Sequence, residues 1–111
     1  MEKHILLVGM PGSGKSTLGK KWAEERAVPF YEIDEMLALK FGKSISEFVD
    51  ECGWERFRSE ELIQVEQVFK LEKGVVVPGG GFFSNQFNVN LALKNAEVYF
   101  LDVSIEILIS R

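Results

Sequence analysis

The 111-residue sequence is poor in cysteine, histidine and proline, with one, one and three of them respectively. A single thiol, Cys52, excludes an internal disulfide and any zinc site built from several thiolates, and it fits a reducing compartment. Positive charge is also short. Thirteen Lys and Arg against seventeen Asp and Glu leave a net charge of -4. The basic residues are scattered along the chain, so no nucleic-acid backbone is expected as partner. Long apolar runs are missing too. The opening MEKHILLVG is continuously apolar only from Ile5 to Val8, too short for a signal-peptide core or a membrane span. The expected location is therefore the cytoplasm. No repeat, low-complexity tract or Pro/Gly linker divides the chain. Its length and 46% hydrophobic content suit one domain over residues 1–111, expected to be a monomer.

What is present alternates in type. Ile5 to Val8 read as a buried strand ending in glycine. Leu18, Trp22 and Ala23 then fall at helical spacing, and Pro29 bars that helix from continuing. Phe30 to Ile33 suit a second strand ending near Asp34. Met36 to Phe41 look helical, with Gly42 as a stop. The segment SISE, Ser44 to Glu47, fits a capping box that starts another helix near Ile45, broken at Gly53. One long amphipathic helix is expected from Trp54 to Lys73, closed by Gly74. The β-branched run Val75 to Val77 is a third, fully buried strand, stopped by Pro78 and three glycines. Ser84 to Asn90 are polar and without a clear pattern. Leu91 to Ala96 suit a helix, Val98 to Leu101 a fourth strand. Ser104 is placed to cap a last helix whose apolar face begins with Ile105, Leu108 and Ile109.

Strands alternating with helices imply an α/β fold, a parallel sheet with helices on both faces. In such sheets the loops at the carboxyl ends of the strands build the site. Gly9 to Thr17, Asp34 and Gly79 to Gly81 each follow a strand and are expected to converge there.

Residues 9–16 match G-x-x-x-x-G-K-[ST] between a strand and a helix, the setting that gives this phosphate-loop pattern its meaning. Gly12 and Gly14 permit backbone angles that turn successive N–H groups inward around phosphate oxygens at a helix N-terminus. Gly12, Ser13, Gly14, Lys15, Ser16 and Thr17 are the expected ATP contacts. Lys15 reaches the β- and γ-phosphates, the Ser16 hydroxyl ligates Mg2+, and Thr17 adds a contact to the α- or β-phosphate. The bland alternative is a glycine-rich turn with a solvated lysine.

After this loop come FYEID (Phe30 to Asp34), FGKSISEF (Phe41 to Phe48), GWERFRSEE (Gly53 to Glu61) and PGGG (Pro78 to Gly81), in that order. Together they resemble the shikimate kinase family, a P-loop NTPase fold of three α/β/α layers, from about Ile5 to Arg111. The resemblance implies transfer of the γ-phosphate of ATP to the 3-hydroxyl of shikimate, in aromatic amino-acid biosynthesis. It implies Arg58 as ligand of the shikimate carboxylate, a role that a guanidinium fills with two parallel hydrogen bonds. Glu61, three positions on, orients Arg58. Asp34 hydrogen-bonds the ring hydroxyls and helps remove a proton. Gly79, Gly80 and Gly81 form a backbone surface that the ring approaches closely. Lys15 also stabilises charge on the moving phosphoryl group.

Each role has a plainer rival. Asp34 can be a helix cap, Arg58 and Glu61 an exposed ion pair, the glycines a turn. Trp54 either lines the pocket or packs at an edge. Cys52 reads as a small buried residue.

Several positions depart from the family. Glu32 stands where an aspartate usually contacts Mg2+ through water, and Trp54 replaces a glutamate. Val77 and Pro78 replace hydroxyl residues before the glycines. Members also continue past the position of Arg111 with an arginine-bearing lid, a fifth strand, a second carboxylate-binding arginine and an adenine loop, so about four strands are expected here. On this reading the chain is a truncated core whose turnover is separate from its ancestry. The competing readings are a non-catalytic nucleotide-binding module and another small-molecule kinase, such as a gluconate-type kinase. A panel of acceptors separates the latter, and ATP binding without transfer identifies the former.

Overall fold

The computed structural model describes residues 3–9, 14–79, 81–82, 86–101 and 107–110. Along the chain these form β1 (His4–Gly9), α1 (Lys15–Arg26), β2 (Phe30–Glu32), α2 (Ile33–Phe41), α3 (Ile45–Cys52), α4 (Trp54–Phe69), β3 (Val75–Val77), α5 (Gln86–Asn95), β4 (Ala96–Leu101) and β5 (Ile107–Ser110). The sheet order is β2-β3-β1-β4-β5. Its first four strands are parallel, with Ile5 beside Val75 and Glu97, and Phe30 beside Val75. Strand alternation divides the core in two. Ile5, Leu7, Val75 and Val77 face α1 through Leu18, Trp22 and Ala23. Leu6, Val8, Val76 and Val98 face the other way, into the larger core with Ile33, Leu37, Phe48, Phe57, Val65, Val68 and Ala92 from α2 to α5. Helices thus cover both faces, as parallel strands require.

Local signals set most boundaries. Ser44 accepts from the Glu47 N–H at 3.1 Å while Glu47 reaches back to the Ser44 N–H at 3.3 Å, a complete capping box. Gly42 ends α2 in the left-handed region at φ 69°. Phe41 stacks on Phe48 at 3.9 Å between ring centres, and Phe48 meets Phe57 edge-on at 6.4 Å, so aromatic packing ties α2, α3 and α4 together.

Four expectations are corrected. Helix α2 begins at Ile33, which is fully buried; Asp34 lies in its first turn and is not its cap, because Glu32 holds that position without a side-chain cap bond. Helix α4 ends at Phe69, not Lys73. Residues 70–73 turn the chain so that Gly74 enters β3 against Pro29, whose carbonyl oxygen a Cβ on Gly74 would strike. Gly74 is therefore demanded by strand packing and not by a helix end. Cys52 is exposed at the end of α3 rather than buried. Ile107–Ser110 is a strand antiparallel to β4, with Val98 beside Ser110 and Leu101 beside Ile107, where a helix was expected. Aliphatic and β-branched residues there complete the backbone ladder of β4. Ser104, Ile105 and Ser84 lie outside the described residues. The polar stretch is helical from Gln86 onward.

Candidate active site

Among the described residues, the carboxyl ends of β1, β2 and β3 bring Lys15, Asp34 and Gly79 to one place. Gly14 holds φ 86°, a left-handed angle that favours glycine, and lets the chain turn into α1. Lys15 is the first residue of that helix, and its Nζ donates to the Gly9 carbonyl at 3.1 Å, so the side chain folds back across the loop towards β1. Ser16 is half-buried and Thr17 exposed. Gly12, Ser13 and Gly80 lie outside the described residues.

The acceptor side is built by α2, α4 and the end of β3. Glu61 is 1% exposed, and its Oε1 accepts from Arg58 Nη1 at 3.0 Å one helical turn away. Burial of the acid distinguishes this from an exposed ion pair, because removing the arginine would leave a carboxylate without compensation. Arg58 is 37% exposed and sits in a corner of two rings, 5.0 Å from the Trp54 ring centre and 5.3 Å from that of Phe57. Trp54 packs edge-on against Phe57 and stays 58% exposed.

Gly79 is buried between two acids. A Cβ added there would lie 2.6 Å from Glu61 Oε2 and 2.9 Å from Asp34 Oδ1. A Cβ on Gly81 would press into the Arg58 guanidinium, 2.7 Å from its Cζ. Any side chain at either position displaces a charged group of the site. Asp34 Oδ1 and Glu61 Oε2 are buried and make no hydrogen bond, although the Gly79 amide lies near enough to favour the charged form of Glu61 slightly.

Electrostatics reflect this crowding. Burial pushes the Asp34 carboxyl above the usual carboxylate range, aided by the charge of Glu32 and opposed by Lys15 and Arg58. Burial likewise raises Glu61, opposed by Arg58 and aided by Asp34. Both acids hold a proton more readily than free carboxyls, within the field of two cations. Lys15, Asp34, Arg58, Glu61, Gly79 and Gly81 thus share one environment, with Glu32 at its edge. Phe57, which sequence analysis did not single out, also bounds the site with its ring, and its adjacency to Arg58 was the available signal.

A family model described as shikimate kinase matches residues 11–111. The chain belongs to the shikimate kinase family. Among curated relatives, the shikimate kinase of Sulfurihydrogenibium sp. (strain YO3AOP1) is 41% identical over 98% of this chain and 66% of its own length. The shikimate kinase structure from Bacteroides thetaiotaomicron superposes with a TM-score of 0.86 at 32% identity, covering 90% of this chain and 59% of that one. A shikimate kinase from Acinetobacter baumannii, solved in complex with shikimate, gives 0.85 at 27% identity, over 89% and 55%. The chain spans less than two thirds of the length of these shikimate kinases. The likeness confirms the α/β fold with its four parallel strands.

Proposed function

We propose that the chain holds the phosphate-binding and acceptor-binding core of an enzyme that transfers the γ-phosphate of ATP to the 3-hydroxyl of shikimate. The observation that carries this reading is the junction of Arg58, Glu61 and Asp34 around Gly79 and Gly81, beside Lys15. A hydroxylated ring acid needs a cation for its carboxylate, an acceptor for its hydroxyl protons and a floor without side chains. Arg58, fixed by Glu61, supplies the first with a guanidinium edge. Asp34 supplies the second, and burial strengthens it as a proton acceptor. The glycine backbone supplies the third.

In the reaction the 3-hydroxyl oxygen bonds to the γ-phosphorus as the bond from the β–γ bridging oxygen breaks. The hydroxyl proton passes to Asp34, and ADP leaves. Lys15 neutralises charge on the phosphoryl group in transit. Positioning does most of the work, because the phosphoryl group reacts with little covalent help from protein.

The donor set fits Mg2+ carried in with the nucleotide. Among the described residues no group of three His, Cys, Asp or Glu side chains forms a protein-built metal cage. Ser16 in the first turn of α1 and Glu32 at the end of β2 offer one hydroxyl and one carboxylate, which suits an ion that keeps phosphate oxygens and waters as its main ligands. When bound, the ion neutralises charge on the β- and γ-phosphates.

The reading carries with it a cytoplasmic monomer without a nucleic-acid partner. The exposed free thiol of Cys52 suits a reducing compartment, and no helix among the described residues is long and apolar enough to cross a membrane. Mass-spectrometric detection of shikimate 3-phosphate from MgATP and shikimate tests the proposal, with Lys15→Ala as the blank. Product above the blank is expected. ATP bound without product would overturn catalysis by this chain and leave a nucleotide-binding module.

A further inference from the structure

The Arg58 guanidinium is restrained on three sides. Glu61 takes one edge at 3.0 Å, Gly81 lies against Nη2, and the Trp54 and Phe57 rings face it at 5.0 and 5.3 Å. The two rings stand nearly perpendicular, at 88°, with centres 5.8 Å apart. Phe57 is 2% exposed and belongs to the core, so its presence is explained by packing. Trp54 is different. At 58% exposed it has little packing reason to be a large aromatic, and its other described ring contact is the edge of Phe57. It lies four residues before Arg58, so the indole stands over the guanidinium on the same helix face.

We propose that Trp54 is a positioning residue for Arg58, holding the guanidinium in an aromatic corner with its remaining edge available to a ligand carboxylate. An aromatic wall attracts the cation through the face of the ring and leaves the in-plane N–H donors free. The inference rests on the reading of Arg58 as the acceptor's carboxylate ligand, and it adds that the placement of the cation depends on residue 54.

The test uses the whole chain with Trp54→Ala and Trp54→Phe. The Arg58 Nε–H resonance is followed by NMR for its ring-current shift and its backbone-like or mobile relaxation, and shikimate and ADP binding are measured by calorimetry. Trp54→Ala is expected to remove the ring-current shift, mobilise Arg58 and weaken shikimate about 3- to 10-fold, the strength of a partly exposed cation–π contact. ADP affinity is expected to stay the same. Trp54→Phe is expected to restore Arg58 order and most of the affinity. An Arg58 signal and a shikimate affinity unchanged in Trp54→Ala would overturn the proposal, as would rescue by neither property in Trp54→Phe. A parent chain that binds no shikimate while Arg58 still loses order in Trp54→Ala would uphold the positioning role and remove the substrate reading.

Discussion

The two ends of the same central strands are built on opposite principles. At the amino end, His4 is fully buried and every polar contact of its ring is met. Its Nδ1 accepts from the Gly74 N–H at 3.2 Å, which leaves the ring proton on Nε2, facing the Phe69 carbonyl at 3.3 Å. One side chain thereby ties β1 to the start of β3 and the end of α4. At the carboxyl end, a few residues along, two carboxylate oxygens are buried against Gly79 without hydrogen bonds. Polar groups at the first end are used up in holding the fold. Those at the second are left without partners, the arrangement expected where a ligand is to supply them.

Breaking each end should therefore be read by a different instrument. The largest effect is expected at the carboxyl end from Lys15→Ala, with phosphoryl transfer falling by about a thousandfold or more and the urea midpoint nearly unchanged. Product assays alongside denaturation would check both halves; a large loss of stability would mean that the lysine's bond to Gly9 matters to the fold. Gly79→Ala comes next. Its Cβ would meet Glu61 and Asp34, so it is expected to cost about 1–3 kcal/mol of stability and to abolish shikimate binding by calorimetry while ADP still binds.

The amino end gives the mirror image. His4→Leu leaves the Gly74 N–H and the Phe69 carbonyl without partners, at an expected cost of about 1–3 kcal/mol, with nucleotide and acceptor affinities unchanged. Its pH dependence is a sharper probe. Burial, joined by the charge of Lys73, lowers the His4 pKa below its ordinary 6.5, against the hydrogen bond with Phe69; the neighbouring Tyr31 ring lies 6.1 Å away. The folded state thus holds this proton less tightly than the unfolded chain. The histidine's stabilisation is complete above pH 6.5 and is lost as pH falls through the folded pKa. Denaturation curves between pH 8 and 5 should show this slope in the parent and a flatter one in His4→Leu.

Asp34 and Glu61 have the opposite sign. Their raised pKa values mean a contribution present below the ordinary values of 3.8 and 4.5 and lost as pH rises through the folded ones. The smallest effect on stability follows from this. Asp34→Asn removes a charge that raises Glu61, so Glu61 should titrate at lower pH by carboxyl NMR. Unfolding free energy at pH 7 should increase by about 0.5–1 kcal/mol, whatever happens to turnover. A decrease would mean that Asp34 stabilises the fold, and the contrast between the two ends would collapse.

Much of the carboxyl end was legible because its residue types have few other uses. A glycine-rich loop between a strand and a helix, an FR with a glutamate one turn on and three glycines after a valine strand each constrain backbone or charge at fixed spacing. The capping box at Ser44 and the stop at Gly42 were readable for the same reason. The amino end was less so. His4 lies inside an apolar strand, and its partners are backbone groups 65 and 70 residues away, which no local pattern announces. The end of α4 was misplaced because Gly74 reads locally as a helix stop, while its presence is dictated by its contact with Pro29. Nor did the sequence reveal that Glu61 would be buried, since a helical acid beside arginines usually faces water. The strand at Ile107–Ser110 was read as a helix because Ile105, Leu108 and Ile109 match the i, i+3, i+4 spacing, and so short an apolar run does not separate a helix from a strand.

Strand β3 has a further consequence. Its three valines are flanked on both sides, by β1 and by β2, and none is more than 2% exposed. Their amides should be among the last in the chain to exchange with deuterium. Gly79 follows this segment by two residues, so the most permissive residue type in the chain hangs directly from one of its least mobile parts. The placement of Gly79 is thus inherited from the strand, and a small ring arriving at it would meet backbone anchored in the sheet.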